Sequence, residues 1–275
     1  MVKLLKAQLN ILIHQKGFRF SLFFLLTAVA GNFICNVVKF WNIEQADMYS
    51  FLEISLLSQS NRLGWYIAVF FPFLLVLPGG LSLAVDKKTK ADLLWISRCG
   101  KGRYLLSKTL AVLLVTFLVF FVPFMLELLL NLIAFPLDAH GNYLWTGLYQ
   151  DGYEIVQKYF LFSLYYNHPV VYVLIRTLLM SVVAAALSII PLAVSCYVSQ
   201  YYCHLFIPVY FILSMIEQVK VTVGKVRFDY NYYGFIQWCT GSIDGKDTVL
   251  FLGMIAVLFL SAGAVLLHEA RKDTV

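Results

Sequence analysis

Five long apolar stretches and one shorter one divide the chain, and the segments between them carry nearly all of its charge. They run over 20–38, 64–85, 107–135, 169–198, 203–219 and 248–267. A helix crossing a bilayer needs roughly 17–25 mostly apolar residues, so the pattern predicts six spans. The fifth is the weakest, because its apolar core runs only from Leu205 to Ile216 before Glu217 intervenes. The third and fourth exceed a minimal span, which predicts tilt or projection beyond the bilayer. Only "SQYYCH", Ser199 to His204, separates the fourth from the fifth, so these two are expected to be antiparallel neighbours.

Residues 1–17 have a different pattern. At helical spacing Lys3, Lys6, Asn10 and His14 share one face, and Val2, Leu5, Leu9 and Leu12 another. A basic amphipathic helix of this kind lies in the membrane interface; a plain cap on the first span is the alternative. "FSLFFLLTAVAGN", Phe20 to Asn32, contains an Ala28-x-Ala30 pattern like a signal-peptide cleavage site. The apolar run continues to Val38, which favours a retained span.

Composition agrees with the pattern. The chain is 61% hydrophobic and 13% charged over 275 residues, against about 25% charged in soluble proteins. The expected fold is therefore all-α: a polytopic membrane protein forming one transmembrane domain over 1–275, without room for a large soluble domain. The five cysteines, Cys35, Cys99, Cys196, Cys203 and Cys239, form no C-x-x-C pair and no metal-ligand spacing, so they read as small apolar residues and no metal site is expected.

Charge sets the expected orientation. Segments 1–19, 86–108, 199–204 and 268–275 together hold thirteen Lys and Arg, whereas 39–63, 136–168 and 217–247 hold seven. By the positive-inside tendency the first set, with both termini, is cytoplasmic. The net charge of +6 is thereby accounted for without nucleic acid as a partner. The expected outer segments "HGNYLWTGLYQDGYEIVQKYFLFSLYYNH" and "RFDYNYYGFIQWCTG" are crowded with aromatic rings. Such rings settle at headgroup level, so these loops are expected to hug the outer surface or insert partway.

The most basic segment is the cytoplasmic loop 86–106 with its flanks. Seven Lys and Arg lie between Lys87 and Lys108, around an apolar patch, Leu93-Leu94-Trp95-Ile96. The charge satisfies topology and can bind anionic lipid. The patch needs a cover, either the bilayer surface or a cytoplasmic partner with a groove for a helix.

In this region the chain resembles the permease subunits of type-2 ABC exporters. "LLWISRCGKGRYLLSKTLA", Leu93 to Ala111, is similar to that family's run of leucines, a serine, a turn with an arginine, then aliphatics and a lysine opening the third span. Here these are Leu93, Leu94, Ser97, Arg98, Leu105, Leu106 and Lys108. The tail "LLHEARKDTV" resembles, through Arg271, Lys272 and Asp273, the endings of peptide-exporting and bacteriocin-immunity members. The chain departs from the pattern upstream: Asp86 stands where many members have Glu, and "TKAD" replaces Gly-Thr.

The resemblance implies a coupling helix containing Leu93, Leu94, Trp95, Ile96, Ser97 and Arg98, docked on a separate cytoplasmic ATPase. It also implies a second permease chain, identical or related, and ATP and magnesium bound by the partner rather than by this chain. The implied substrate is a peptide, lipid-like or hydrophobic molecule exported through the plasma membrane by alternating access.

The sequence itself lacks a phosphate loop; "CGKGRY" and "VGKVRF" have neither its spacing nor its Ser/Thr. An intramembrane enzyme would need clustered His, Glu or Asp on facing spans. The five histidines, His14, His140, His168, His204 and His268, lie instead at span ends or in loops. No catalytic residue is assigned, and the chain is not expected to be an enzyme. The competing reading is an ion-coupled carrier or a membrane scaffold with no ATPase.

Two ionisable residues fall inside expected spans, Glu127 and Arg176. Each costs roughly 2.5–3.5 kcal/mol on insertion scales. Counted at 1.5 Å per residue, both lie about 10–12 Å below the expected outer surface, which suggests an ion pair; snorkelling and substrate contact are the alternatives. Asn32, Asn36 and Asn131 would line a polar path or bond neighbouring helices. Pro72, Pro78, Gly79 and Gly80 in the second span are hinge candidates, or a static kink shaped to its neighbours.

Overall fold

The computed structural model describes residues 2–44, 48–57, 61–137, 160–197, 203–218, 220–223, 226–229, 235–236 and 245–272. The described chain is helical apart from one short hairpin. The helices are α1 (Val2–His14), α2 (Lys16–Lys39), α3 (Phe51–Ile54), α4 (Arg62–Val76), α5 (Ser82–Thr89), α6 (Ala91–Cys99) and α7 (Lys101–Ala134). After these come α8 (Phe162–Asn167), α9 (Pro169–Leu187), α10 (Ile189–Val194), α11 (Cys203–Gln218) and, last, α12 (Gly245–Arg271). Strands β1 (Lys220–Val223) and β2 (Val226–Asp229) pair antiparallel between α11 and α12, with Lys220 opposite Asp229. The hairpin is an addition to the all-α expectation. Val221, Val223, Val226 and Phe228 give it the β-branched and aromatic content that favours strands.

Among the described residues four helical segments are long and apolar enough to cross a membrane: Lys16–Lys39, Lys101–Ala134, Pro169–Val194 and Thr248–Arg271. The expected second and fifth spans are shorter as helices. Their apolar parts are Leu63–Val76 and Leu205–Met215.

α7 is the spine, with α1, α2 and α9 packed along it. Its 34 residues extend about 50 Å, well beyond a hydrocarbon core of about 30 Å. One face is buried through Ala111, Val112, Val115, Val119, Phe120 and Phe124, while Leu106, Leu110, Leu114, Leu118, Val122 and Leu126 form an exposed stripe. Both faces are apolar, so hydropathy cannot tell them apart; the buried face mixes small residues with two phenylalanines, and the exposed one is almost all leucine. In lipid there is little hydrophobic force between helices, and association rests on close packing and polar links. Accordingly the α9–α10 segment, with Ser181, Ala184, Ala185 and Ser188 buried, is the most enclosed of the four, 72% of its apolar window being inside the protein.

The expected second span, 64–85, is not one helix. α4 stops at Val76 and the chain turns through residues 77–81 before α5 begins. Pro78 has no N–H to continue the ladder. The turn is closed by Gly80 N donating to Val76 O (2.9 Å) and Ser82 N to Gly79 O (3.0 Å). Pro72, Pro78, Gly79 and Gly80 are all buried. A methyl group on Gly80 would lie 2.7 Å from Pro191 Cγ, and one on Gly17 would collide with the Leu77 carbonyl. The break between α4 and α5 is thus a densely packed kink.

Tertiary bonds show which chain ends meet. Lys101 Nζ lies 3.3 Å from Glu269 Oε1, and Lys87 Nζ donates to the carbonyls of Ser195 (3.1 Å) and Cys196 (2.5 Å). The ends of α5, α10 and α12 and the start of α7 therefore share one pole, hereafter the basic pole. The ends of α2 and α7, with α3 and the start of α4, lie at the opposite pole.

Candidate functional site

Three features carry the polar chemistry: an exposed helix and a buried cluster at the basic pole, and a second buried cluster at the opposite one.

The exposed helix is α6. Two tight corners set it apart from the bundle. Lys90 adopts the left-handed conformation (φ 57°, ψ 19°) between α5 and α6, and Gly100 (φ 81°, ψ 148°) separates α6 from α7. The Gly100 geometry is essentially restricted to glycine. No residue of α6 is buried. Leu93 and Leu94 are 59% and 64% exposed, and Ser97 and Arg98, one turn on, share that face. Trp95 and Ile96 are half-buried and pack against the core, which fixes how α6 is rotated. The apolar patch read from sequence thus splits into an anchoring pair and a presented pair.

Beneath α6 lies the first buried cluster. Lys108 Nζ contacts Asp86 Oδ2 at 2.7 Å and donates to Gln8 Oε1 at 3.1 Å, while Tyr104 OH donates to the same Asp86 oxygen at 2.6 Å. Gln8 and Lys108 are fully buried, and Asp86 nearly so. These four side chains tie α1, α5 and α7 together at the root of α6. Tyr104 and Lys108 stand four residues apart, which places them on one helical face. At the N-terminus α1 turns Leu12 and Gln8 into the protein against α7.

The second cluster is at the opposite pole. Segment 48–57, expected to be surface loop, is folded inward: Phe51, Leu52, Ile54, Leu56 and Leu57 are all buried. Its non-helical backbone is satisfied by side chains, the condition under which irregular backbone is tolerated at membrane depth. Asn32 Nδ2 donates to Ile54 O (3.0 Å) and to Glu127 Oε1 (3.1 Å), and Leu56 N donates to the same carboxylate oxygen. Asn36 adds bonds to Ile54 O and Asn32 Oδ1, both 3.2 Å, and Asn61 Nδ2 reaches Asn32 Oδ1 at 2.7 Å.

Glu127, expected to pair with Arg176, takes its hydrogen bonds from this arrangement. Both residues are buried, on the adjacent helices α7 and α9. The bonds of Glu127, however, come from Asn32 and Leu56, and the Arg176 guanidinium lies against the rings of Phe160 (5.6 Å) and Phe235 (5.4 Å). Equal depth does not mean equal azimuth: Glu127 faces α2 and α3, whereas Arg176 faces two aromatic rings.

No family model, curated protein or solved structure matches the chain.

The sequence singles out Asp86, Lys108, Asn32 and Asn36 one by one, but gives no sign of Gln8, Tyr104 and Asn61 as their partners. The inward fold of residues 48–57 is likewise absent from the sequence reading. The one signal for it is Phe51-Leu52-x-Ile54-x-Leu56-Leu57, an apolar knot too short to cross a bilayer. Among the described residues no group of three or more His, Cys, Asp and Glu side chains is arranged to hold a metal. Most of the aromatic loops, the turn at 198–202, Cys239 and Asp273 lie outside the described residues.

Proposed function

We propose that the chain is the permease subunit of an ATP-driven exporter of the type-2 ABC class, worked by a separate ATPase that docks on α6. The observation that carries this reading is α6 itself. It is a nine-residue helix held off the bundle between two corners, presenting Leu93, Leu94, Ser97 and Arg98 while Trp95 and Ile96 fix its rotation. A helix with an apolar stripe and a basic edge suits a partner groove that is apolar at its base and acidic at its rim.

In this reading the chain makes six passes: α2, the kinked α4–α5 segment, α7, α9–α10, α11 and α12. Both termini and α6 are cytoplasmic in the plasma membrane, a placement that the positive-inside tendency favours for the basic pole. A second permease chain completes the pathway. ATP and magnesium belong to the ATPase, whose closure moves α6 and, through its root, α5 and α7 as a rigid unit. A peptide or lipid-like cargo is the substrate class that the resemblance favours.

The test is gentle-detergent purification of the tagged full chain from its own cells after cross-linking. A soluble ATPase with a phosphate loop is expected in comparable amount. Joint Leu93→Asp and Leu94→Asp substitution is expected to lower its recovery roughly tenfold or more, since a loss of about 1.4 kcal/mol suffices. Recovery of the chain with no ATPase would favour an ion-coupled carrier, the competing reading, for which the buried carboxylate of Glu127 is the supporting observation.

A further inference from the structure

The first helix presents three chemically different sides. Inward, Gln8 and Leu12 are fully buried, and Leu5 and Leu9 pack against the core. Gln8 Oε1 accepts from Lys108 Nζ at 3.1 Å, which keys the rotation of α1 against α7. On one flank Val2 and Ile13, three helical turns apart and so on one side, are 81% and 39% exposed. Outward, Lys3, Lys6, Asn10 and His14 are all exposed.

After α1 the extended backbone of Gln15 (φ −67°, ψ 145°) leads into α2. The first turn of α2 adds Lys16 and Arg19, both exposed. The charge is of one sign, since no Asp or Glu precedes Glu44. It is also uncommitted. Lys101, Lys108 and Lys272 are in ion pairs, and Lys87 bonds two carbonyls. Lys3, Lys6, Lys16 and Arg19 form no ion pair among the described residues.

We propose that α1, with the first turn of α2, docks on the phosphate headgroups of anionic phospholipids, and that Lys3, Lys6, Lys16 and Arg19 make the contacts. α1 runs directly into α2, a helix long and apolar enough to cross a membrane, which keeps its cations within reach of a bilayer surface. A basic face beside an apolar flank suits headgroup level, the flank then meeting the acyl chains. A soluble acidic partner would cover the cations but leave Val2 and Ile13 in water. An apolar flank alone would seat the helix on any bilayer; four unpaired cations make the seating depend on headgroup charge. The docking does not depend on whether an ATPase binds α6.

The test is photo-crosslinking of the purified full chain in phosphatidylcholine nanodiscs doped with phosphatidylglycerol that carries a photoreactive group near its phosphate. Label is expected within residues 1–19, competed by unlabelled phosphatidylglycerol but not by added phosphatidylcholine or inorganic phosphate. Joint Lys3→Gln, Lys6→Gln, Lys16→Gln and Arg19→Gln substitution is expected to lower that label about tenfold, because juxtamembrane cations act together on anionic lipid. Lys90→Gln with Arg103→Gln, which removes two other exposed cations, is expected to leave it unchanged. Folding of each variant is read from its melting transition in phosphatidylcholine alone. Label in the fourfold variant equal to that of the wild type would overturn the proposal, the helix then lying on lipid through its apolar flank. Competition by inorganic phosphate would overturn it equally, the cations then serving a soluble anion. Should the fourfold variant not fold, the wild-type chain decides: label unchanged in about 0.5 M sodium chloride, where exposed charges are screened, overturns the proposal.

Discussion

The two buried polar clusters are built from similar parts and end in different states. At the basic pole, Asp86 meets Lys108 at 2.7 Å, and Tyr104 and Gln8 complete a set in which charge is balanced. At the opposite pole, Glu127 is held only by neutral donors. The first arrangement is balanced in charge, although Gln8 Nε2 is left without a partner, and it fixes α1, α5 and α7 at the root of α6. The second fixes backbone equally well, through Asn32, Asn36 and Asn61, around a carboxyl that also lines a small cavity. A buried pair with both members present balances its own charge, whereas a buried carboxyl in neutral company has no counter-charge beside it.

The comparison breaks most forcefully at Lys108. Lys108→Met leaves Asp86 buried without its cation, a change that costs about 3–5 kcal/mol when one partner of a buried pair is removed. The expected outcome is a large loss of folded chain, read as the fraction surviving heating in detergent. Adding Asp86→Asn to Lys108→Met removes the stranded charge and is expected to restore a large part of that loss. If the double variant is no better than the single one, the cluster is not the charge-balanced pair described above.

These clusters also mark how far a sequence can disclose a fold. Hydropathy locates all four long helices, because run length and bilayer thickness are the same one-dimensional quantity. It overreaches at 64–85, where Pro78 and two glycines sit inside an apolar run that the chain does not traverse as one helix. Partnering is hidden for a different reason. Glu127 and Arg176 match in depth, but depth says nothing about rotation around the helix axis. Lys108 reads as the lysine opening the third span, but nothing in a single chain shows Gln8, a hundred residues earlier, lying against it. α6 is the most legible element, because four apolar residues set amid seven cations are conspicuous in the residue order alone.

At the opposite pole the matching disruption is Asn32→Ala. It removes two donated bonds, to Ile54 O and Glu127, and the acceptor used by Asn36 and Asn61. Leaving buried polar groups unsatisfied costs about 1–3 kcal/mol. The segment 48–57 is expected to loosen while the rest of the bundle stays folded. With native cysteines replaced, a cysteine at position 56, where Leu56 is now fully buried, should react slowly with a polar maleimide and several-fold faster once Asn32 is removed. Equal rates would mean that apolar packing alone holds the segment.

The corner at Gly100 separates the scaffold from what it presents. Gly100→Ala forces a side chain into φ 81°, ψ 148° at a cost of about 1–3 kcal/mol. A methyl group there meets nothing within 4 Å, so the penalty is conformational and falls on the orientation of α6. ATPase recovery is expected to drop while the melting temperature changes by only a few degrees. A large fall in melting temperature with normal recovery would place the corner in the fold rather than in docking.

The smallest effect is expected at Tyr104, and it tests what holds the basic cluster together. Tyr104 OH and Lys108 Nζ share one oxygen, Asp86 Oδ2. In Tyr104→Phe that oxygen keeps its charge-assisted bond to lysine, and only a neutral donor is lost, worth about 0.5–1.5 kcal/mol. The ring remains to fill its fully buried position, so no cavity is created. A modest loss of stability with unchanged ATPase recovery is therefore expected. A loss as large as that of Lys108→Met would mean that the tyrosine hydroxyl, not the ammonium, holds Asp86 in place. The contrast between a charge-balanced pole and an unbalanced one would then have to be redrawn around hydrogen bonding instead of charge.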